Sequence, residues 1–177
     1  KEFRVAGMDV EIAHHPLGIG TSEAGYEEAI SRQASRIREA GYDVVLANTL
    51  LEFHAVDAAR EAGIPSVWLI HENEEAAYHF APLPPAVHKR ARACFGHPYR
   101  VVFVAEATRH VHRALDFHDN AIVIPGGIPP GWAAGLDAGT RAAARAAIGV
   151  ASGDVVILSV GTICERKRQA DLIAALA

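Results

Sequence analysis

No apolar run in this sequence approaches the ~20 residues that a membrane-spanning helix needs. The longest, such as Val44–Ala47 and Val155–Val160, stop far short, so no segment is expected to cross a bilayer. Positive charge is not in excess either: 17 basic against 21 acidic residues leave a net charge of −4. No general field therefore draws the surface to nucleic acid or anionic lipid, and any anion site must be local. Cysteine is nearly absent. Cys94 and Cys164 are the only two and carry no metal-type spacing, which excludes a disulfide scaffold and fits a reducing, cytoplasmic compartment. No repeat at the 20–50 residue periods of solenoids is visible. Neither a methionine nor an apolar signal region opens the chain at Lys1, and Ala177 falls within an apolar-periodic run, so the sequence reads as a piece of a longer protein.

What is present is the balance of a soluble globular chain: half of the 177 residues are hydrophobic and 21% are charged. Short β-branched runs alternate with longer alanine-rich helical patterns, the sequence form of successive βα units. The expected class is α/β, a Rossmann-like parallel sheet with helices on both faces. Strands are expected at Val10–His14, Val44–Ala47, Ser66–Ile70, Arg100–Val104, Ala121–Ile124 and Val155–Val160. Helices are expected over Ser22–Ala40, Glu52–Ala62, Pro85–Phe95, Ala107–Leu115, Ala138–Ile148 and from Arg168 onward, with Gly41, Gly63, Gly96 and Gly149 as stops. The densest Gly/Pro cluster, Pro125-Gly-Gly-Ile-Pro-Pro-Gly-Trp, marks a domain boundary. Residues 1–126 are then most of a first domain whose first strand is missing, 127–137 a linker, and 138–177 the truncated start of a second domain.

Candidate chemistry gathers where strands end. Gly161-Thr-Ile-Cys-Glu-Arg-Lys-Arg follows the run Val155–Val160 and precedes a helix. Open α/β sheets bind ligands at that carboxyl edge, and Arg166, Lys167 and Arg168 near a helix start suit a diphosphate. A solvated basic turn is an equal reading of the same residues. His71-Glu-Asn-Glu-Glu follows the strand Ser66–Ile70. There a histidine can bond a substrate hydroxyl or move a proton, with Glu72 orienting it; the plainer reading is a strand cap followed by a solvated acidic loop.

Other chemistries lack their central residues. Ten histidines are many, but His110, His112 and His118 do not share one helix face, so no metal site is expected and the histidines read as mostly surface groups. Gly18-Ile-Gly-Thr-Ser-Glu echoes a dinucleotide fingerprint but carries Glu23 at the third glycine position, and Asp43 opens its strand instead of closing it. There is no Gly-x-Ser-x-Gly elbow and no Gly-x-x-x-x-Gly-Lys loop. Cys94, beside Phe95 in a helical pattern, reads as core.

The order of motifs says more than any one of them. Tyr42-Asp-Val-Val-Leu-Ala-Asn-Thr is followed by Gly63-Ile-Pro-Ser-Val-Trp-Leu-Ile-His-Glu and by Val101-Val-Phe-Val-Ala-Glu-Ala-Thr-Arg. Then come Ile122-Val-Ile-Pro-Gly-Gly-Ile and Leu158-Ser-Val-Gly-Thr-Ile-Cys-Glu-Arg-Lys-Arg-Gln. In this order and spacing the chain resembles the retaining glycosyltransferases of family 4 (glycosyl transferases group 1), which have the GT-B fold. The resemblance implies a two-domain enzyme that moves a sugar from a nucleoside diphosphate sugar to an acceptor hydroxyl, with the cleft between an N-terminal acceptor domain and a C-terminal donor domain. It implies that His71 reaches the transferred sugar, that Arg166 and Lys167 with Gly161 and Thr162 hold the donor diphosphate, and that Glu72 and Gly127 are further substrate contacts. Cationic side chains would then neutralise the leaving diphosphate without a metal ion.

The same resemblance implies a sugar or lipid-linked acceptor; with no nucleic-acid partner expected from the charge and a cytoplasmic location from the cysteines, the parent is expected to be able to work at the inner face of the membrane. Departures from the family pattern are Thr162 for an arginine, Ala105 for a serine, Gly126 for an asparagine and Arg168 for a glycine. Without the glycine-rich first loop and the later acidic motif, the chain alone is expected not to turn over, and its uncovered apolar surface is expected to make it self-associate or be only marginally stable. A sugar-nucleotide epimerase of the same fold and a non-catalytic binding module are the alternatives that the sequence leaves open.

Overall fold

The structure is a computed structural model that describes residues 7, 9–11, 15–17, 22–115, 117 and 119–176. It divides into two compact units, Lys1–Gly127 and Ile128–Ala177. Of the expected first strand Val10–His14, residues 12–14 lie outside the described residues, as do 18–21 of the glycine-containing loop and His118.

The first unit is a parallel sheet whose strands follow chain order: β1 (Val45–Asn48), β2 (Ser66–Ile70), β3 (Arg100–Phe103) and β4 (Ala121–Val123). The helices are α1 (Glu23–Glu39), α2 (Phe53–Ala62), α3 (Ala76–Phe80), α4 (Pro85–Ala93) and α5 (Glu106–Val111). Single 3₁₀ turns at Leu50–Glu52 and Cys94–Gly96 extend α2 backwards and α4 forwards. The fold is thus α/β and Rossmann-like, with helices flanking a parallel sheet.

Local signals set the helix ends. Ser22 caps α1 by accepting the Gly25 N–H at 3.1 Å, Glu23 lies in the first turn and Arg36 and Arg38 in the last, each favourable to the helix dipole. Tyr26, Ile30, Ala34 and Ile37 repeat at helical spacing and form its buried stripe. α2 stops at Gly63, whose φ of 75° is the left-handed conformation that glycine adopts without steric cost. Gly96 differs from the expected stop: it lies inside a 3₁₀ turn and has no positive φ.

Period-two alternation sorts the strands. In register, Ala47, Trp68, Val101 and Ala121 form one row across the sheet, on the face that Phe53, Phe80 and Phe95 help to cover. Trp68 is fully buried against Phe95, their ring centroids 4.6 Å apart, and its indole N–H donates to the Thr49 carbonyl at 2.8 Å. Asn48, Leu69, Val102 and Ile122 form the alternate row. Beneath the helices, Asp57 on α2 accepts from Tyr26 Oη at 3.1 Å, from Arg90 Nη2 at 2.7 Å and from Arg60 Nη2 at 3.2 Å. One buried carboxylate thereby ties α1, α2 and α4 together, and its charge together with burial holds the Tyr26 phenol above its ordinary range.

The second unit contains α6 (Ala138–Ala147), capped by Asp137, which accepts the Thr140 N–H at 2.8 Å, and α7 (Gln169–Ala175). A 3₁₀ turn, Glu165–Lys167, precedes α7. The expected strand Val155–Val160 is not formed: no backbone neighbour pairs with it among the described residues, and all six side chains are exposed. An apolar β-branched run needs a ladder partner and a covering layer to become a strand, and here it has neither. No helix among the described residues is long and apolar enough to cross a membrane.

Candidate active site

β1 and β2 are neighbours in the sheet, so the loops that leave their carboxyl ends lie side by side. Asn48 is the last residue of β1 and pairs in register with Leu69. Two residues beyond Leu69, the same alternation brings His71 to the Asn48 side of the sheet. His71 Nε2 and Asn48 Oδ1 are 2.9 Å apart, and both residues are exposed. The carbonyl oxygen accepts, so Nε2 carries the proton and Nδ1 is left with a lone pair, by the tautomer logic of neutral imidazole.

Glu72 does not orient the His71 ring, as the sequence reading allowed. Its Oε2 accepts the backbone N–H of Leu50 at 3.0 Å and that of His71 at 3.1 Å. The carboxylate staples the loop after β1 to the loop after β2 and so fixes the backbone on which His71 sits. Next to it, Thr49 has φ 86° and ψ 158°, a conformation rarely adopted by a β-branched residue. It is held there on both sides, its N–H donating to Leu69 O at 2.9 Å and its carbonyl accepting from Trp68. Sequence reasoning missed Asn48 and Thr49. The usable signal was a polar pair ending one parallel strand beside another that ends in histidine.

The remaining candidates are placed as follows. Gly127 closes the first unit and is exposed. In the second unit Gly161, Thr162 and Lys167 are exposed, with Lys167 ending the 3₁₀ turn before α7; the Arg166 side chain lies outside the described residues. The Thr162 carbonyl accepts from Gln169 Nε2 at 3.0 Å, which folds the loop back on the start of α7. Arg168 has φ 56° and ψ 31°. A left-handed backbone at this position is what a glycine would adopt at no cost, whereas the Arg168 Cβ makes it unfavourable.

Most of the described histidines are exposed or half-buried, and two are exceptions: His54 and His112 are buried. His112 stacks on Phe103 at 5.7 Å between ring centroids and bonds the Glu72 carbonyl through Nε2 at 3.1 Å, while its Nδ1 has no hydrogen-bond partner among the described residues. Burial lowers its basicity. His110, two residues earlier, is exposed beside Arg113, so the pair does point apart. An open cavity of about 530 Å³ lies between α5 and the segment Asn73–Ala77, but neither His71 nor Asn48 lines it. Cys94 is fully buried and its thiol is pushed far above its ordinary range by desolvation, as a core residue rather than a nucleophile.

No curated protein and no solved structure matches this chain. A family model does, that of Glycosyltransferase Family 4, over residues 8–132, which is more than half of the chain and contains the sheet, Asn48, His71 and Glu72. With its Rossmann-like parallel sheet and a histidine held at the carboxyl edge, the chain belongs to Glycosyltransferase Family 4.

Proposed function

We propose that the protein carrying this chain transfers a sugar, of the hexose class, from a nucleoside diphosphate sugar to an acceptor hydroxyl with retention of the anomeric configuration. The observation that carries this reading is His71, exposed at the carboxyl edge of a parallel sheet in a chain of the glycosyltransferase family, with its ring fixed by Asn48. Ligands of open α/β sheets bind at that edge. His71 Nδ1 accepts a hydroxyl of the bound sugar, and the Glu72 staple holds the histidine backbone at the position this contact needs. Preorganised contacts of this kind contribute without reorganisation in the transition state.

The diphosphate leaves as an anion, and its charge must be met. Arg166 and Lys167, with Gly161 and Thr162 in the same loop, are the residues to which we assign it. Two cationic side chains do the work that a bound divalent ion does in other transferases, so the transfer itself is proposed to be metal-independent. The acceptor in this reading is a sugar or a lipid-linked sugar bound by the first unit.

Calorimetric titration of the intact protein with UDP and with GDP tests the assignment. The expected result is saturable binding of one nucleotide that Lys167→Ala weakens at least tenfold. A well-folded protein that binds neither would overturn the transferase reading in favour of a non-catalytic module. Consumption of the donor sugar with no acceptor present would favour an epimerase.

A further inference from the structure

Away from His71, a second cluster of side chains converges on one point. Glu52, in the 3₁₀ turn after β1, lies between His54 at the start of α2 and His15 in the segment that precedes α1. His54 Nε2 is 2.9 Å from Glu52 Oε2, His15 Nε2 is 3.5 Å from Glu52 Oε1, and the two histidine Nε2 atoms are 3.3 Å apart. A tetrahedral zinc ion with ligand bonds near 2.0–2.1 Å separates its ligand atoms by about 3.3 Å. The three separations straddle that value.

The hydrogen-bond partners point the same way. Gln33 on α1 places Oε1 3.2 Å from His54 Nδ1, so Nδ1 carries the proton and Nε2 presents a lone pair. That lone pair faces a carboxylate oxygen at 2.9 Å, which is repulsive unless a cation stands between them. An outer partner that takes the remote N–H of a metal-bound histidine is the usual support of such sites. The His54 side chain is 6% exposed, against 43% for His15 and 35% for Glu52, so the cluster is rooted in the core and open to solvent on one side.

We infer that His15, Glu52 and His54 form a binding site for a divalent transition-metal ion of the zinc class, with water completing the shell. The ion clips the segment 15–17 onto the start of α2, next to the loop that supports His71, and serves structure rather than the transfer step. On binding, the His15 ring changes tautomer: its proton moves from Nε2 to Nδ1, which frees the Nε2 lone pair for the ion and gives up the bond that Nδ1 now accepts from the Leu17 N–H at 3.1 Å. The other convergence of ligand-type atoms, Asp57 with Cys94 and His97, is unlike this one because the Asp57 carboxylate is already engaged by Tyr26, Arg60 and Arg90.

The test is titration of the 177-residue chain with Zn²⁺ and with Co²⁺ after chelation. One equivalent is expected to bind, giving the visible absorption of tetrahedral Co²⁺ without a thiolate band, and to raise the melting temperature. His54→Ala and the near-isosteric Glu52→Gln are expected to abolish that equivalent, Gln33→Ala to weaken it roughly 10–100-fold, and Cys164→Ser and His110→Ala to leave it unchanged. Circular dichroism of each variant separates loss of a ligand from loss of the fold. Absence of a stoichiometric site, or its survival in folded Glu52→Gln, overturns the inference.

Discussion

His71 and Asn48 meet at 2.9 Å across the carboxyl ends of two adjacent parallel strands, although 23 positions separate them in the chain. The pair exists because β1 and β2 are in register and because both residues fall on the same side of the pleat. Its consequence is a histidine with a chosen tautomer. Asn48→Ala removes the acceptor, so the His71 ring is expected to populate both neutral tautomers in nitrogen NMR, where the native chain shows the Nε2–H form alone. In an assay of sugar transfer, loss of a bond worth about 1 kcal/mol corresponds to an approximately fivefold fall in rate. An unchanged tautomer would show that Asn48 does not set it.

Acid should destabilise the fold in a manner traceable to His112. Its folded pKa lies below the ordinary value of 6.5, mainly through desolvation, so the unfolded chain binds the proton more readily. Stability is therefore complete above about pH 6.5 and falls as pH drops from there through the folded pKa. His15, lowered chiefly by the same cause, acts in the same direction. His112→Phe keeps a ring between Phe95 and Phe103 and cannot titrate. The drop in melting temperature between pH 7.5 and 5.5 is expected to be smaller in this variant than in the native protein.

Asp57 joins three helices through one carboxylate that is 2% exposed. Asp57→Ala leaves the Tyr26 hydroxyl without its acceptor and releases Arg90, which is partly exposed and can turn to water. The expected cost, by denaturant unfolding, is about 3 kcal/mol, at the lower end for a broken buried pair. A change below 1 kcal/mol would mean that α1, α2 and α4 are held by apolar packing alone.

Trp68 contributes both area and a donor. Trp68→Phe retains most of the packing and leaves the Thr49 carbonyl with the longer bond from the Glu52 N–H at 3.3 Å, for an expected loss of about 1 kcal/mol, whereas Trp68→Ala should cost about 3–5 kcal/mol. The first variant also loosens Thr49, with φ 86°, by removing the shorter of the two bonds to its carbonyl. Faster amide exchange at Thr49 and Leu50 in Trp68→Phe is the specific signature to measure.

Leu46 and Val44 are exposed at the β1 edge, 65% and 54% respectively, and β1 pairs only with β2 among the described residues. An apolar edge of this kind pairs with other chains. Concentration-dependent self-association is expected in sedimentation, and Leu46→Lys is expected to reduce it; a native chain monomeric at all concentrations would contradict this.

Much was written in the sequence. The alternation of β-branched runs with alanine-rich helical stretches fixed the class and located β2 to the residue, because Pro65 and the polar His71-Glu-Asn leave no room to slide. Ser22, Gly63 and Gly149 bounded helices through local backbone chemistry, and the ordered motifs carried the family. His71 was legible too, as a polar residue at a strand end.

What only the tertiary structure decided depends on residues far apart in the chain. Partnership is one such matter: Glu72 reaches the Leu50 amide and not the imidazole beside it, and Gln33, His54, Glu52 and His15 meet from three separate segments. Strand formation is another. Val155–Val160 has the apolar content of a strand and is unpaired among the described residues, while Ser66–Ile70, no more apolar, lies between two neighbouring strands. Propensity and pattern are properties of a segment, but a ladder hydrogen bond, a tautomer or a metal-ligand set belongs to a pair or trio of segments, and only folding chooses which ones meet.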